Sequence, residues 1–96
     1  MSANISHDSW LNVQLQNAEF AAEFLNAASE DEDPKTYLTA LRKVVEVRGG
    51  MTAVAEKAAL SRETLYRTLS VRGNPTIKTL HAVLKATGLK LGVTAY

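Results

Sequence analysis

A chain of 96 residues with 46% hydrophobic and 22% charged side chains has the balance of one ordinary folded domain, which excludes a disordered or fibrous polypeptide. It holds no cysteine, which excludes a disulfide framework, a thiolate metal site and a cysteine nucleophile, and no apolar run approaches the roughly 18 residues that cross a bilayer. The net charge of +1 hides an asymmetry: residues 1–48 carry four basic and eight acidic side chains (−4), and residues 49–96 carry seven basic and two acidic (+5), so the second half suits a polyanion and the first a basic partner.

The opening Met1-Ser2-Ala3-Asn4 has neither the basic n-region nor the apolar h-region of a signal peptide, and a cytoplasmic location is expected. A short helix over Asp8–Leu15 would place Trp10, Leu11 and Leu15 on one side. From Asn17, a plausible N-cap, the residues Phe20, Ala21, Phe24, Leu25 and Ala28 recur at three and four, a helical stripe. The acidic run Ser29-Glu30-Asp31-Glu32-Asp33 ends it. Asp33-Pro34 then reads as N-cap plus proline at the first helical position, opening a helix with Tyr37, Leu38, Leu41, Val44, Val45 and Arg48 along one stripe. Gly49-Gly50 closes that helix. Three short helices follow, over about Thr52–Ala59, Arg62–Leu69 and Ile77–Thr87. Ser61 caps the second and Thr76 the third; Gly88 is a left-handed stop. The third helix carries Ile77, Leu80 and Leu84 as its buried stripe, with His81 beside it. Beyond Gly88, Leu89, Leu91, Val93 and Ala95 alternate with Lys90, Gly92, Thr94 and Tyr96, which is a strand period. The expected fold class is therefore all-α, five to six short helices with a possible short C-terminal β-strand.

The segment from about residue 50 to 70 has the layout of a helix-turn-helix. Ala55 is small enough to let a second helix cross closely, Val54 and Ala58 face inward beside it, Leu60 plugs the turn, and Leu65 and Leu69 bury the inner face of the second helix. That leaves Arg62, Glu63, Tyr66 and Arg67 outward, with Ser61 and Thr64 at the N-terminal edge that would enter a major groove. Arg62 suits a bidentate contact with guanine O6 and N7; Tyr66 suits a thymine methyl or a phosphate. Arg67 suits a phosphate, or equally an exposed ion pair with Glu63 worth about 0.3–0.5 kcal/mol. Backbone N–H groups at Met51–Thr52 and Thr76–Ile77 can hold phosphates, with Lys78 adding charge, although Thr52 and Thr76 also read as simple caps.

These residues carry a resemblance. The stretches from Val54 to Leu65 and from Gly73 to Leu89 are similar to the helix-turn-helix of Xre/Cro-type repressors. The run Ser61-Arg62-Glu63-Thr64-Leu65-Tyr66-Arg67-Thr68-Leu69-Ser70 most resembles the HigA-type addiction-module antidote proteins. Phe24-Leu25-Asn26-Ala27-Ala28, then Asp33-Pro34 and Leu41-Arg42, resemble that group's N-terminal portion, so the likeness covers about residues 17 to 93. Ala59 departs from the pattern by standing where many such repressors have glycine, and Thr68 where they have a large aliphatic residue; Leu69 is expected to take over its packing. The resemblance implies a lambda-repressor-like bundle and an antitoxin that silences a RelE/HigB-like RNase and represses its own operon.

Two regions are expected within one compact domain: residues 1–48, a helical extension that binds the toxin, and residues 49–96, the DNA-binding region. An RNase must present a basic surface to phosphates, so the acidic half is the complementary side. There Trp10, Leu11, Phe20 and Phe24 are candidate anchors and Glu23 a candidate charge, although Phe20, Phe24 and Leu25 read first as core, which leaves Trp10 the better anchor. One reading helix spans too few base pairs for specificity, so a homodimer on a two-fold operator is expected, with residues 89–96 as a candidate interface. No histidine or carboxylate spacing suggests a metal, no glycine-rich loop cradles a phosphate, and His7 and His81 lie far apart; no cofactor and no enzymatic activity are expected. A stand-alone repressor without a toxin, or an interaction module that does not read DNA, are the other readings the residues allow.

Overall fold

The structure, a computed structural model, describes residues 2–96, with side chains from Asp8 onward, so the side chain of His7 lies outside the described residues. It consists of α1 (Ser2–Leu15), α2 (Ala18–Ser29), α3 (Pro34–Val47), α4 (Met51–Lys57), α5 (Arg62–Thr68) and α6 (Ile77–Ala86). The first helix thus begins earlier than the expected Asp8.

Four helices start on a side-chain acceptor. Asn17 accepts from the Phe20 N–H at 2.9 Å, Asp33 from Lys35 at 3.0 Å, Ser61 from Thr64 at 3.0 Å and Thr76 from Thr79 at 3.1 Å. Each satisfies an N–H that the first turn leaves without a partner. The start of α4 differs: its N-cap is Gly50, which has no capping side chain, and Thr52 lies exposed inside the first turn. Thr52 is therefore not a cap.

Three helices end in the same six-residue wrap. The N–H groups of Gly50, Leu60 and Leu89 reach back to the carbonyls of Val45, Ala55 and Leu84 at 2.8–2.9 Å, each around a left-handed residue. Gly49 and Gly88 supply two of these turns with positive φ; Ala59 supplies the third at φ 59°.

One core runs through both halves of the chain. Leu41, Val44 and Val45 of α3 are fully buried at its centre, with Leu15 of α1, Ala21 and Leu25 of α2, Met51, Val54 and Ala55 of α4, Leu65 of α5, Leu69 just beyond it, and Val83 and Leu84 of α6. α3 packs on α1, α2 and α4, and α4 carries α5 and α6. Arg48 ties the far ends together. Its guanidinium donates to the carbonyls of Leu15 (3.2 Å) and Gln16 (2.7 Å) at the end of α1 and of Thr87 (2.7 Å) just past α6, placing a cation on two helix C-termini.

Two sequence expectations are corrected. Residues 89–96 form no strand, and none occurs among the described residues. The tail runs beside helices and meets no other strand, so there is no ladder for it to join. Leu89 and Leu91 pack on the core; Val93 and Tyr96 are exposed. Ile77 is not part of the buried stripe of α6 but 65% exposed. It is the first helical residue, and its side chain points back over the N-terminal edge, away from the packed turns.

Candidate nucleic-acid interface

The unit α4–turn–α5 is held by apolar contacts on one side only. Ala55 and Val54 are buried beneath α5, Ala58 and Leu60 pack half-buried against the core, and Leu65 closes the inner face from α5. The turn from 58 to 61 carries no slack, because the Ala59 and Leu60 N–H groups are bonded back to Glu56 (3.1 Å) and Ala55 (2.9 Å). α5 consequently presents Arg62, Glu63 and Arg67 to solvent.

The polar side chains on this face are ordered by one another. The Ser61 Oγ that caps α5 also donates to Thr64 Oγ1 at 2.8 Å, and Arg67 Nη2 donates to the same Thr64 oxygen at 3.4 Å. No Glu63–Arg67 ion pair forms among the described residues; Arg67 turns to Thr64 instead. Arg62 Nη2 donates to Tyr66 Oη at 3.3 Å, with its guanidinium carbon 5.4 Å from the ring centroid. That hydrogen bond raises a pKa already high, so Arg62 is a permanent cation. Tyr66 itself is half-buried, its ring packed on the core, rather than standing free in solvent.

Sequence reasoning missed Arg42 as a member of this face. It sits on α3 with its guanidinium carbon 5.2 Å from the Tyr66 centroid and pairs with Glu46, one turn on, at 3.4 Å. The arginine–glutamate spacing is visible in the sequence. That α3 brings Arg42 to Tyr66 is not, because no local pattern records which helix crosses which. Thr76 and Lys78 lie exposed at the start of α6, where the Thr76 hydroxyl is engaged as a cap and donates to Thr79 Oγ1 at 3.1 Å.

The N-terminal candidates separate. Leu11, Phe20 and Phe24 are half-buried against the core, whereas Glu23 is exposed. Trp10 is 52% exposed and meets Phe20 edge-on, centroids 5.9 Å apart at 87°. Of the acidic turn, Asp31 accepts from the Asp33 N–H at 2.8 Å and Asp33 caps α3, so two of its four carboxylates have structural work; Glu30 and Glu32 are exposed. A cleft of ≈ 450 Å³ separates this turn from Gly73-Asn74-Pro75. Asp31, Glu32 and Tyr37 are the titratable groups in its lining, and burial pushes the Tyr37 phenol up. Among the described residues no group of three His, Asp or Glu side chains is placed to hold a metal ion, and no helix is long and apolar enough to cross a membrane.

A protein of Haemophilus influenzae (strain ATCC 51907 / DSM 11121 / KW20 / Rd), described as uncharacterized, is 37% identical over 70 residues, covering 73% of this chain and 71% of that protein. No solved structure matches. A family described as "Probable addiction module antidote protein" matches residues 8–95, nearly the whole chain and both of its charged halves. The chain belongs to that family of addiction-module antidotes.

Proposed function

We propose that this chain is the antitoxin of a two-protein addiction module: it neutralises a RelE/HigB-like RNase and represses its own operon through a helix-turn-helix of the Xre/Cro kind formed by α4 and α5. The observation that carries the DNA-binding half is the one-sided burial of α5. Leu65 is fully buried while Arg62, Glu63 and Arg67 face solvent. A short helix held proud of the surface with cations on its outer face is what a major groove admits. The same reading assigns Thr52, Ser61, Thr64, Tyr66, Thr76 and Lys78 to the DNA-binding surface, with the helix starts supplying N–H groups for phosphates.

Family membership supports the toxin-directed half. The acidic first half supplies the charge complementary to an RNA-binding enzyme. Trp10 is the large aromatic there with most surface to offer, with Leu11, Phe20, Glu23 and Phe24 as the further candidate contacts. The dimer on a two-fold site stays part of this reading because one helix meets too few base pairs.

The test is a mobility shift on the DNA upstream of the gene, together with co-expression of the adjacent open reading frame, scored by growth rescue and co-purification. Wild-type binding, a loss of about 1–3 kcal/mol in Arg62→Ala with relaxed preference at one base pair, and rescue of growth are expected. Unchanged affinity and selectivity in Arg62→Ala would sink the groove assignment; absence of rescue would sink the toxin assignment.

A further inference from the structure

Tyr66 is where two arginines meet. Arg62, on its own helix, donates to its hydroxyl; Arg42 reaches its ring from α3. Two guanidinium groups at 5.2 and 5.4 Å from one centroid repel each other unless one is compensated. Glu46 compensates Arg42, with Oε2 3.4 Å from Nε. Arg62 has no carboxylate within ion-pair distance among the described residues, so its charge stays available while its position is held. The anchor is firm because the Tyr66 ring packs on the core. An exposed arginine samples many rotamers, and ordering them on binding counts against affinity and blurs selectivity.

We propose that Arg42 and Tyr66 are positioning residues for Arg62: the Tyr66 hydroxyl holds its guanidinium on the outer face of α5 before a duplex arrives, and Arg42, packed on the Tyr66 ring and neutralised by Glu46, holds that ring, so that selectivity at the base pair Arg62 meets is set by α3 as well as by α5. This rests on the reading of α5 as the groove-entering helix. Arg42 has a distinct signature under this scheme. A phosphate contact would strengthen binding to every sequence and steepen the salt dependence, whereas a positioning residue changes the ratio between bases at one position.

The experiment uses the full chain in four forms: wild type, Tyr66→Phe, Arg42→Gln and Arg42→Lys. Nitrogen-15 relaxation of the Arg62 Nε–Hε group in the free protein measures its order. Affinities are then measured for the duplex that wild type selects from a randomised library, and for that duplex with each base pair changed in turn. Tyr66→Phe keeps the ring and loses the acceptor; Arg42→Lys keeps the cation. Expected are a disordered Arg62 in Tyr66→Phe and Arg42→Gln with recovery in Arg42→Lys, and a roughly tenfold loss of selectivity at one base pair. In Arg42→Gln, preferences elsewhere and the salt slope stay as in wild type. An Arg62 as ordered in both variants as in wild type overturns the proposal. So does a uniform loss across all duplexes with the slope reduced by about one, which marks Arg42 as a phosphate contact. A wild type that selects no duplex overturns the selectivity role together with the groove reading, while the relaxation series still decides separately whether Arg42 and Tyr66 hold Arg62.

Discussion

Ala59 occupies the left-handed position of the turn between α4 and α5, at φ 59°, inside a wrap that otherwise favours glycine. An L-residue with a Cβ costs roughly 1–2 kcal/mol there. Ala59→Gly should therefore stabilise the fold, offset by the unfolded-state entropy glycine adds, about 0.4–1 kcal/mol. A net gain of about 0.5–1 kcal/mol is expected, read as a Tm rise of a few degrees, roughly 2–8 °C for a domain of this size. Arg48 is the opposite case. Arg48→Met keeps the apolar stem but strips the donors from the Leu15, Gln16 and Thr87 carbonyls. Hydrogen bonds from a charged group are worth about 1.5–3 kcal/mol each and do not add fully, so a loss of about 2–4 kcal/mol is expected in a denaturant titration. A variant within half a kcal/mol of wild type would show that water replaces the clasp.

The link from α5 to α6 is tight for a reason of space. A Cβ on Gly73 would lie 1.9 Å from the Thr68 carbonyl oxygen at the end of α5, and backbone cannot step aside as a flexible side chain can. Gly73→Ala should shift the approach to α6 and cost about 1–3 kcal/mol, like other overpacked sites. Gly92→Ala is the control, since nothing lies within 4 Å of its added Cβ, and its melting curve should superimpose on wild type. The caps behave as independent local devices. Asn17, Asp33, Ser61 and Thr76 were each legible because a capping acceptor sits two or three residues before the N–H it meets. α4 escaped the same reasoning by starting on Gly50, which offers no side chain to recognise.

The charge division at residue 48 is not a division of the core. Leu41, Val44 and Val45, fully buried on α3, pack in the same cluster as Met51, Val54, Leu65 and Leu84. The radius of gyration, 13.2 Å, is that of one folded body of about a hundred residues. A fragment of residues 49–96 loses the helix its own apolar faces rest on, and too little surface remains to bury. It should show weak helicity and no cooperative thermal transition by circular dichroism. A sharp transition in the fragment would mean that α4, α5 and α6 fold without α3.

The residues by themselves determined the six helices apart from the start of α1, four of their caps, the glycine stops at Gly49 and Gly88, and the apolar stripes of α2 and α3. Those features arise from groups within one or two turns of each other, so their physics is written in consecutive positions. Only the tertiary structure decided that Arg48 clasps two helix ends, that Arg42 meets Tyr66, that Ile77 stays exposed and that the alternating tail forms no strand. A stripe records that a face will be buried but not against what. A guanidinium, a strand edge or a first-turn side chain takes its role from a partner far along the chain, and the packing of α3 against α1, α2 and α4 brings those partners together or leaves them apart.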